Sequence, residues 1–370
     1  MKFSQPEPQY QKCRICDYDR NQNNAIKCEV CHFTLKQETR THIVAIVVPM
    51  VLLVGFLTLF KQDSSKTETN SRELQQLSDR SLRQYTWMRE VPNVPTGLFS
   101  YGGATCFAAM TAHGLNAAIS QAHPQFHLRY TEPLNQPPGC STGITMLLSG
   151  ENSFAQNGRP LEESEYNSAK IRNFSLQQVP VAIDGIVFFI HPDLNVSGLT
   201  VTDLQDIYTG KLKNWSQLGG PNLPIVPISQ DIKVHATLKL LLGSRVAYLS
   251  SNVKFVRDYT AAIRQVAATP GGISYSSAAI ARSQQSVRTL ALAKSGSNSY
   301  IQPFTKNNLV NVAALRDGTY PLTRRLFVVI RHDGSLDEQA GVAYASMLRS
   351  QEGQQYIEKS GFAAIYLNFN

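Results

Sequence analysis

Hydrophobic positions divide the chain into one long uncharged run and a much longer stretch of short alternating segments. The uncharged run covers residues 43–60, and as a helix at about 1.5 Å per residue it would be roughly 27 Å long, close to the hydrocarbon thickness of a bilayer. A buried core helix would normally have a polar face, whereas this run has only Thr58. The forty-two residues before it are too many for a cleaved signal peptide. We therefore expect an uncleaved, single-pass transmembrane helix.

The carboxyl-terminal part of the chain alternates β-rich runs with helical patterns. Residues 181–190 (VAIDGIVFFI) and 324–330 (RRLFVVI) are almost entirely apolar, which is typical of strands covered on both faces. A helical pattern lies between Thr202, a good N-cap, and Gly210, a good stop. Residues 338–362 predict one or two further helices. This alternation indicates an α/β fold with largely parallel sheets.

A polar segment separates the uncharged run from these elements. Residues 61–92 predict a linker, with a weakly amphipathic helix beginning at about Ser71. The chain has 370 residues, so the remaining 93–370 are enough for a domain of two packed lobes. We expect the linker to hold this domain away from the membrane.

Composition and charge exclude several classes of protein. With 42% hydrophobic and 17% charged residues, the chain is neither disordered nor a polytopic membrane protein. The net charge of +8 comes from 35 basic and 27 acidic residues that form no basic run. Nucleic-acid binding usually requires a clustered basic face, so we expect no nucleic-acid partner.

Four of the six cysteines form two CxxC pairs near the amino terminus, Cys13 with Cys16 and Cys28 with Cys31, separated by eleven residues. Zinc is held by four thiolates at tetrahedral corners, and two such turns supply them. Two disulfides or unrelated thiols are the alternatives. We predict a structural zinc ion in residues 1–42, which are too few to fold around a core alone.

The cysteines also decide the orientation in the membrane. The basic residues on the two sides of the uncharged run are nearly balanced, so the positive-inside rule does not discriminate. Intact zinc thiolates are favoured in a reducing compartment. We therefore expect residues 1–42 in the cytoplasm, with an unidentified partner there, and the large domain outside the cell membrane. The cysteine spacing with Asn21 resembles small zinc ribbons of the Ran-binding-protein type, without support for RNA or ubiquitin binding.

Two glycine-rich loops followed by helices have the form of oxyanion sites. One contains Gly103, Ala104, Thr105 and Cys106, and the second is the run 139–143. Backbone N–H groups at a helix N-terminus point at an anion, and glycines allow close approach. Arg159, after Gly158, would add a positive fork to the same place. Ordinary glycine turns and a surface salt bridge of Arg159 are the alternatives.

Six blocks of sequence, in order, resemble the phosphate-binding component of the high-affinity phosphate ABC importer. They are residues 94–110, 143–161, 181–220, 268–281, 320–330 and 349–365. The resemblance implies a two-lobed periplasmic-binding-protein fold of type II that closes on its ligand by a hinge motion. The implied lobes are about 93–182 with 290–370, and about 183–289. An ABC permease would be the partner, and phosphate or a related oxyanion the ligand.

The resemblance also implies a set of ligand residues, with departures from the family's pattern. Ala104 lacks a hydroxyl, Gly158 stands where a Ser or Asp is usual, and the Arg-x-x-Gly-Ser-Gly-Thr loop expected after residue 229 is missing. His235 and Thr237 are its nearest polar substitutes, and Lys233 the nearest charge. We therefore expect a weakened or altered oxyanion site. Its predicted residues are Gly103, Ala104, Thr105, Cys106, Ser141, Thr142, Gly143, Gly158, Arg159, His235 and Thr237.

Three residues near this site have alternative interpretations. Cys106 and Cys140 would line one cleft in an oxidising compartment, either as a disulfide or as two buried thiols. Asp184, in an apolar strand, is either a paired hinge residue or ligand partner, or a satisfied structural carboxylate.

The sequence predicts a binding protein and not an enzyme. No HExxH, GxSxG or Walker motif is present. The leading hypothesis is a membrane-anchored binding protein that delivers phosphate or a related oxyanion to an ABC importer. The alternatives are a transmembrane sensor that relays ligand occupancy through the zinc ribbon, and a degenerate scaffold that binds no ligand.

Overall fold

The computed structural model describes residues 85–365 together with Tyr10–Gln11 and Asn21–Gln22. The chain divides into two units, Met1–Gln84 and Tyr85–Asn370. In the first unit, Tyr10–Gln11 (β1) pairs with Asn21–Gln22 (β2) in an antiparallel arrangement. The four predicted zinc cysteines, the uncharged run and most of the predicted linker lie outside the described residues. Within the described ranges, no helix is long and apolar enough to span a membrane, and no cluster of three metal-ligand side chains occurs.

The second unit contains eleven further strands and eleven α-helices in its described part. The strands are Gly97–Gly103 (β3), Phe126–Tyr130 (β4), Phe154–Asn157 (β5), Ser175–Ile190 (β6), Gly198–Thr200 (β7), Val226–Gln230 (β8), Lys254–Val256 (β9), Gly272–Ser277 (β10), Arg288–Thr289 (β11), Ala291–Ala293 (β12) and Thr323–His332 (β13). The α-helices are Ala108–Ala112 (α1), Leu115–Ala122 (α2), Cys140–Ser149 (α3), Glu163–Ile171 (α4), Val201–Tyr208 (α5), Thr237–Leu242 (α6), Tyr259–Ala267 (α7), Ala278–Ala281 (α8), Val312–Arg316 (α9), Leu336–Arg349 (α10) and Gln351–Lys359 (α11). Short 3-10 helices cover Met88–Glu90, Thr105–Phe107, Trp215–Leu218 and Gly243–Tyr248.

Nine strands form one mixed sheet in the order β4-β3-β5-β13-β6-β10-β8-β9, and β11 also pairs with β6. The outer pairs β3–β4, β3–β5, β8–β10 and β8–β9 are parallel, as the sequence predicts. The centre is antiparallel, which the sequence analysis did not predict. Strands β6 and β13 pair there with each other in opposite directions. The physical reason is that these two strands carry the chain between the lobes, one outward and one back.

The long strand β6 joins two lobes. Its residues up to Gly185 pair with β13, and Ile186–Ile190 pair with β10. The first lobe therefore contains β3, β4 and β5, and the second contains β8, β9 and β10. This arrangement supports the predicted hinge between two lobes.

The segment that follows the predicted lobe boundary at residue 290 makes contacts with the second lobe. Ala291–Ala293 pairs with Gly198–Thr200 of the second lobe, and the hydroxyl of Tyr320 donates to the carbonyl of Ile186. Residues 291–293 and Tyr320 therefore contact the second lobe, whereas Arg316 between them pairs with Glu358 of α11.

Residues 85–91 belong to the folded domain and not to the linker. Met88 is fully buried, and its carbonyl contacts Nε2 of His123 at 2.8 Å. The carbonyls of Tyr85 and Thr86 accept hydrogen bonds from the backbone at Gln351 and Glu352. This docking of polar-looking sequence depends on long-range contacts, which a local pattern does not contain.

Two local predictions have different outcomes. The isolated Trp215 predicts a packing residue, because a stacking site needs several aromatic side chains in a cleft. Trp215 is fully buried and its Nε1 donates to the carbonyl of Gly271, which confirms this prediction. The predicted N-cap of α5 is wrong by two residues. The cap is Thr200, whose Oγ1 accepts from the amide of Asp203, whereas the hydroxyl of Thr202 donates to Ser295.

Candidate ligand site between the lobes

The first glycine-rich loop connects β3 to α1 and packs closely on its own lobe. Gly103 has φ of 120° and a side chain there would collide with the carbonyl of Gln156. The amide of Ala104 donates to that same carbonyl at 2.8 Å. Gly143 of α3 lies directly against Gly103. The glycines of this loop therefore allow contact between backbone segments of the protein itself.

The second loop, at the N-terminus of α3, is covered by the other lobe. Gly139 lies against Val234 and His235, where a Cβ would come within 3.0 Å of His235 Cε1. The amide of Ser141 donates to the carbonyl of Val234 at 3.2 Å. The hydroxyl of buried Thr142 donates to backbone carbonyls of its own loop. The amide of Ser141, an expected anion donor, is thus used in a contact between the lobes.

Arg159 is buried and paired within the first lobe. Its Nη1 donates to Oε2 of Glu165 at 2.8 Å, and its Nη2 donates to Oε1 at 2.5 Å. Nη2 also lies 3.5 Å from the hydroxyl of Ser141. Of the two interpretations from sequence, the salt bridge describes this geometry, although it is buried and not on the surface. The charge of Arg159 is therefore already compensated.

The charged centre between the lobes is the pair of Asp184 and Arg324. Asp184 lies on β6 directly opposite Arg324 on β13. Oδ2 of Asp184 accepts from Nε and Nη2 of Arg324 at 3.0 and 2.8 Å, and Oδ1 accepts from the hydroxyl of Ser277 at 2.7 Å. Asp184 is completely buried, and burial raises its pKa while Arg324 and Ser277 oppose that shift. Asp184 is thus paired and fully hydrogen-bonded, which fits both a paired hinge residue and a satisfied structural carboxylate.

The guanidinium of Arg324 also reaches predicted site residues of both lobes. Its Nη1 donates to Oγ1 of Thr237 at 2.8 Å, and its Nη2 donates to the hydroxyl of Tyr259 at 3.0 Å. A Cβ built on Gly158 would lie 3.5 Å from Nη1. Arg324 therefore fills space beside Gly158 and contacts the loop that replaces the family's missing motif.

No local sequence pattern identifies Arg324 as a site residue. The sequence contains a charged residue at the start of one apolar run and an acidic residue within another, but it does not show that the two lie opposite each other. Tyr259 was missed as well, because a tyrosine at the start of a helix carries no signal of this kind.

His235 is buried on the second lobe and neutral at pH 7. Burial and the nearby Arg324 lower its pKa to about 4. Its Nε2 has no hydrogen-bond partner among the described residues, and neither does the side-chain amide of Gln230 or Oδ1 of Asn157. Unpartnered buried polar atoms of this kind are available to a ligand or to water.

Cys106 and Cys140 are free, buried thiols, so the disulfide alternative is not what the structure contains. Burial raises the pKa of Cys106 to about 12, and the thiol is therefore protonated. Sγ of Cys140 accepts from the amide of Gly158 at 3.4 Å. Both cysteines act as small packing residues beside the site.

An open cavity of about 650 Å³ lies between the lobes, next to Thr105. Thr105 is half-buried, and Ala104 is buried at the base of the same cavity. The other predicted ligand residues do not line this space. The cavity is lined by Tyr101, Ala104, Thr105, Ala108, Thr111, Ala112, Tyr130, Glu132, Pro138, Gln156, Arg257 and Asp258.

Contacts besides the hinge also connect the two lobes. Nη2 of Arg257 lies 3.3 Å from a carboxylate oxygen of Glu132 at the mouth of the cavity. Nζ of Lys239 lies 4.0 Å from a carboxylate oxygen of Glu162. Together with the bond from Ser141 to Val234, these contacts hold the lobes in a closed arrangement.

Comparison with known proteins places these features in a family. The family model of the PBP superfamily domain matches residues 92–352. The phosphate-binding protein PstS of Borreliella burgdorferi is 22% identical over 267 residues, which are 68% of this chain and 88% of that protein. The protein of the same name from Pseudomonas aeruginosa PAO1 is 24% identical over 243 residues, covering 61% of this chain and 72% of its own length.

Solved structures show the same fold. A putative phosphate ABC transporter substrate-binding protein from Clostridium perfringens, with bound phosphate, has a TM-score of 0.60 and 22% identity over 73% of this chain and all of its own. An ABC-type phosphate transport receptor from Vibrio cholerae has a TM-score of 0.55 and 21% identity, covering 72% of this chain and all of its own. The predicted two-lobed α/β fold of the periplasmic binding proteins is confirmed.

Proposed function

The chain belongs to the PBP superfamily, and we propose that it is an extracytoplasmic solute-binding protein that takes phosphate or a related oxyanion for an ABC importer. The superfamily consists of binding proteins without enzymatic activity, so the prediction that the chain is not an enzyme is confirmed. The ligand proposal rests on the relatives, which are named phosphate-binding proteins, and on one observation. A buried guanidinium, that of Arg324, lies at the meeting point of the lobes in contact with Thr237 and beside Gly158.

The geometry supports weak binding of a free oxyanion. A guanidinium has five N–H donors, and Arg324 already makes four hydrogen bonds within the protein. Arg159 is paired with Glu165, and the amide of Ser141 is bonded to Val234. Each charge-assisted hydrogen bond that an anion fails to make costs about 1.5–3 kcal/mol of affinity.

Calorimetry of the full chain in detergent with inorganic phosphate tests this proposal. We expect a dissociation constant weaker than micromolar, on the order of 0.1–1 mM, because few donors remain. A Thr105→Val variant should weaken binding further, whereas Thr86→Val, an exposed threonine away from the cleft, should not. Micromolar or tighter binding would contradict the weakened site, and no detectable binding would contradict the oxyanion ligand.

We further propose the amino-terminal zinc ribbon and membrane anchor expected from sequence, with residues 1–42 in the cytoplasm. Support comes from the CxxC spacing and the uncharged run. The full chain should contain about one zinc ion, and a Cys13→Ser/Cys28→Ser variant should lose it, while the matched Cys106→Ser variant keeps it. Metal analysis of the purified proteins measures this, and equal zinc contents in all three would contradict the ribbon.

A second function is favoured by the contacts that already close the lobes. The contacts of Arg324 and Val234, with the ion pairs Arg257–Glu132 and Lys239–Glu162, join the lobes. If these contacts take the place of those made by a ligand, the domain acts as a sensor or a scaffold. Deleting residues 1–42 while keeping the uncharged run distinguishes these roles. Unchanged phosphate uptake with an altered phosphate-response signal supports a sensor, whereas unchanged uptake with an unchanged signal supports transport. A chain that neither binds phosphate nor affects uptake would be a scaffold.

A further inference from the structure

The cavity beside Thr105 differs in size and lining from an oxyanion site. Its volume of about 650 Å³ falls within the range of pockets that bind organic molecules, about 300–1,000 Å³. Both lobes contribute residues, so a ligand there would contact both. Ser141, Arg159, His235 and Thr237 do not line it. The cavity is therefore a region separate from most of the predicted oxyanion residues.

The walls of the cavity are largely apolar. Helix α1 presents the exposed methyl groups of Ala108 and Ala112 to the cavity. Pro138, which is buried, also lines it. The rings of Tyr101 and Tyr130 meet edge to face, with centroids 5.6 Å apart. Burial and Glu132 raise the pKa of Tyr130 to about 12, so this ring stays a neutral phenol. Methyl groups and aromatic faces favour an apolar body and a cation over an anion.

The charges at the mouth of the cavity have an excess of acid. Arg257 is the cation in the lining, and its guanidinium is paired with the carboxylate of Glu132 at 3.3 Å. The second carboxylate is that of Asp258, which caps α7 by accepting from the amide of Ala261 at 2.8 Å. The lining thus has one formal negative charge in excess. An oxyanion would be repelled there, whereas an ammonium group would be attracted.

We propose that this cavity binds a small organic amine with an aromatic or other apolar body. The apolar body would lie on the alanine face of α1 and against Tyr130, and the ammonium group would face Asp258. The proposal goes beyond the oxyanion function and does not depend on it. The two ligands use different residues, except for Ala104 and Thr105, which line the cavity and are also predicted oxyanion residues.

Calorimetry of the full chain in nanodiscs, with empty nanodiscs as the blank, tests this with three probes. The probes are phenethylamine, 3-phenylpropionate, which has an apolar body of similar size with the opposite charge, and inorganic phosphate. We expect phenethylamine to bind at least about tenfold more tightly than phenylpropionate. Tighter binding of phenylpropionate, or equal binding of the two, would overturn the proposal.

Three variants localise the effect. Ala108→Phe, which fills the cavity from an exposed helix position, should abolish amine binding. Asp258→Asn keeps an N-cap residue but removes the charge, and should weaken amine binding about tenfold. Asp193→Asn, the same change at a side chain that is 91% exposed elsewhere on the second lobe, should have no effect. Thermal melts of each variant check that the fold is retained.

The outcomes separate this proposal from the oxyanion function. Amine binding that survives Ala108→Phe with the fold intact would overturn the cavity as its site. Amine binding without phosphate binding would leave the cavity ligand and contradict the oxyanion function. Phosphate binding without amine binding would support the oxyanion function and contradict the amine ligand of the cavity.

Discussion

At the scale of single residues, the site depends on a buried charge pair of which the sequence identifies only one member, Asp184. Asp184 and Arg324 are both buried, and between them they bond Ser277, Thr237 and Tyr259. Buried ion pairs stabilise little compared with apolar substitutes, but removal of one partner leaves the other charge buried alone. The pair therefore specifies the arrangement of the hinge more than it adds stability.

Removal of the charge of Asp184 should destabilise the domain strongly. We expect Asp184→Asn to lower the free energy of unfolding by about 3–5 kcal/mol, because Arg324 then lacks its counter-ion. Denaturant unfolding of the full chain measures the change. Asp193→Asn, at an exposed position, is the control and should change stability by less than about 0.5 kcal/mol. Similar effects of the two substitutions would show that the buried pair is not needed.

His235 should make the domain less stable in mild acid. Its pKa is lowered from 6.5 to about 4, so the unfolded state binds a proton more readily than the folded state. Above pH 6.5 His235 is neutral in both states and lowers the stability by nothing. As the pH falls towards 4 the free energy of unfolding decreases, by about 3 kcal/mol at most. Unfolding curves of the protein and of His235→Gln between pH 7 and 4 measure this. The difference between them should depend on pH in that window, and parallel curves would contradict it.

At the scale of elements, capping decides where helix α5 begins. Thr200 and Asp203 form a capping box in which each side chain accepts from the backbone amide of the other residue. Thr202 also satisfies the sequence rule for a cap, but it lies inside the helix. The reason is that Thr200 ends β7 in an extended conformation, which an N-cap requires and Thr202 does not have.

A matched pair of substitutions tests this assignment. Thr200→Ala should lower the free energy of unfolding by about 1 kcal/mol, because the amide of Asp203 loses its acceptor. Thr202→Ala should cost much less, since its half-buried hydroxyl bonds to Ser295 alone among the described residues. Denaturant unfolding compares the two variants. A larger loss for Thr202→Ala would contradict the cap.

At the scale of the whole molecule, the two lobes are joined by β6 and β13 and held together by direct contacts. The pairs of Arg257 with Glu132 and of Lys239 with Glu162 lie outside the hinge, and the backbone bond from Ser141 to Val234 lies beside the candidate site. In a typical two-lobed binding protein the ligand supplies such contacts and drives closure. Here the chain itself supplies several of them.

Closure without ligand should be visible by hydrogen exchange. We expect the amide of Ser141 and the amides of β6 and β13 to be protected in the ligand-free chain, with at most a small change on addition of phosphate. Val234→Gly combined with Arg257→Ala removes the side chain that packs against Gly139 and the ion pair with Glu132, so the protection of Ser141 should fall while that of β3 stays unchanged. A large increase in protection on phosphate addition would instead indicate an open, ligand-driven domain.

The sequence alone determined the two-lobed α/β architecture of the large domain, although not the antiparallel centre of its sheet. Buried strands are recognisable because continuous apolar runs are local. Of the residues predicted for the site, Gly158 and Thr237 lie beside Arg324, and the amide of Ser141 bonds to Val234. The sequence also determined the predictions for the zinc cysteines and the uncharged run, which lie outside the described residues.

Only the tertiary structure decided which polar groups remain free for a ligand. Arg159 is occupied by Glu165, and Arg324 arrives from a strand distant in sequence to contact Thr237. The tertiary structure also revealed an apolar cavity beside Thr105 and the antiparallel pairing of β6 and β13 at the centre of the sheet. These features depend on contacts between residues far apart in the sequence; Asp184 and Arg324, for example, are 140 positions apart. Local periodicity and motif spacing report which side chains are present, whereas their hydrogen-bond partners are chosen by the packing of the whole chain.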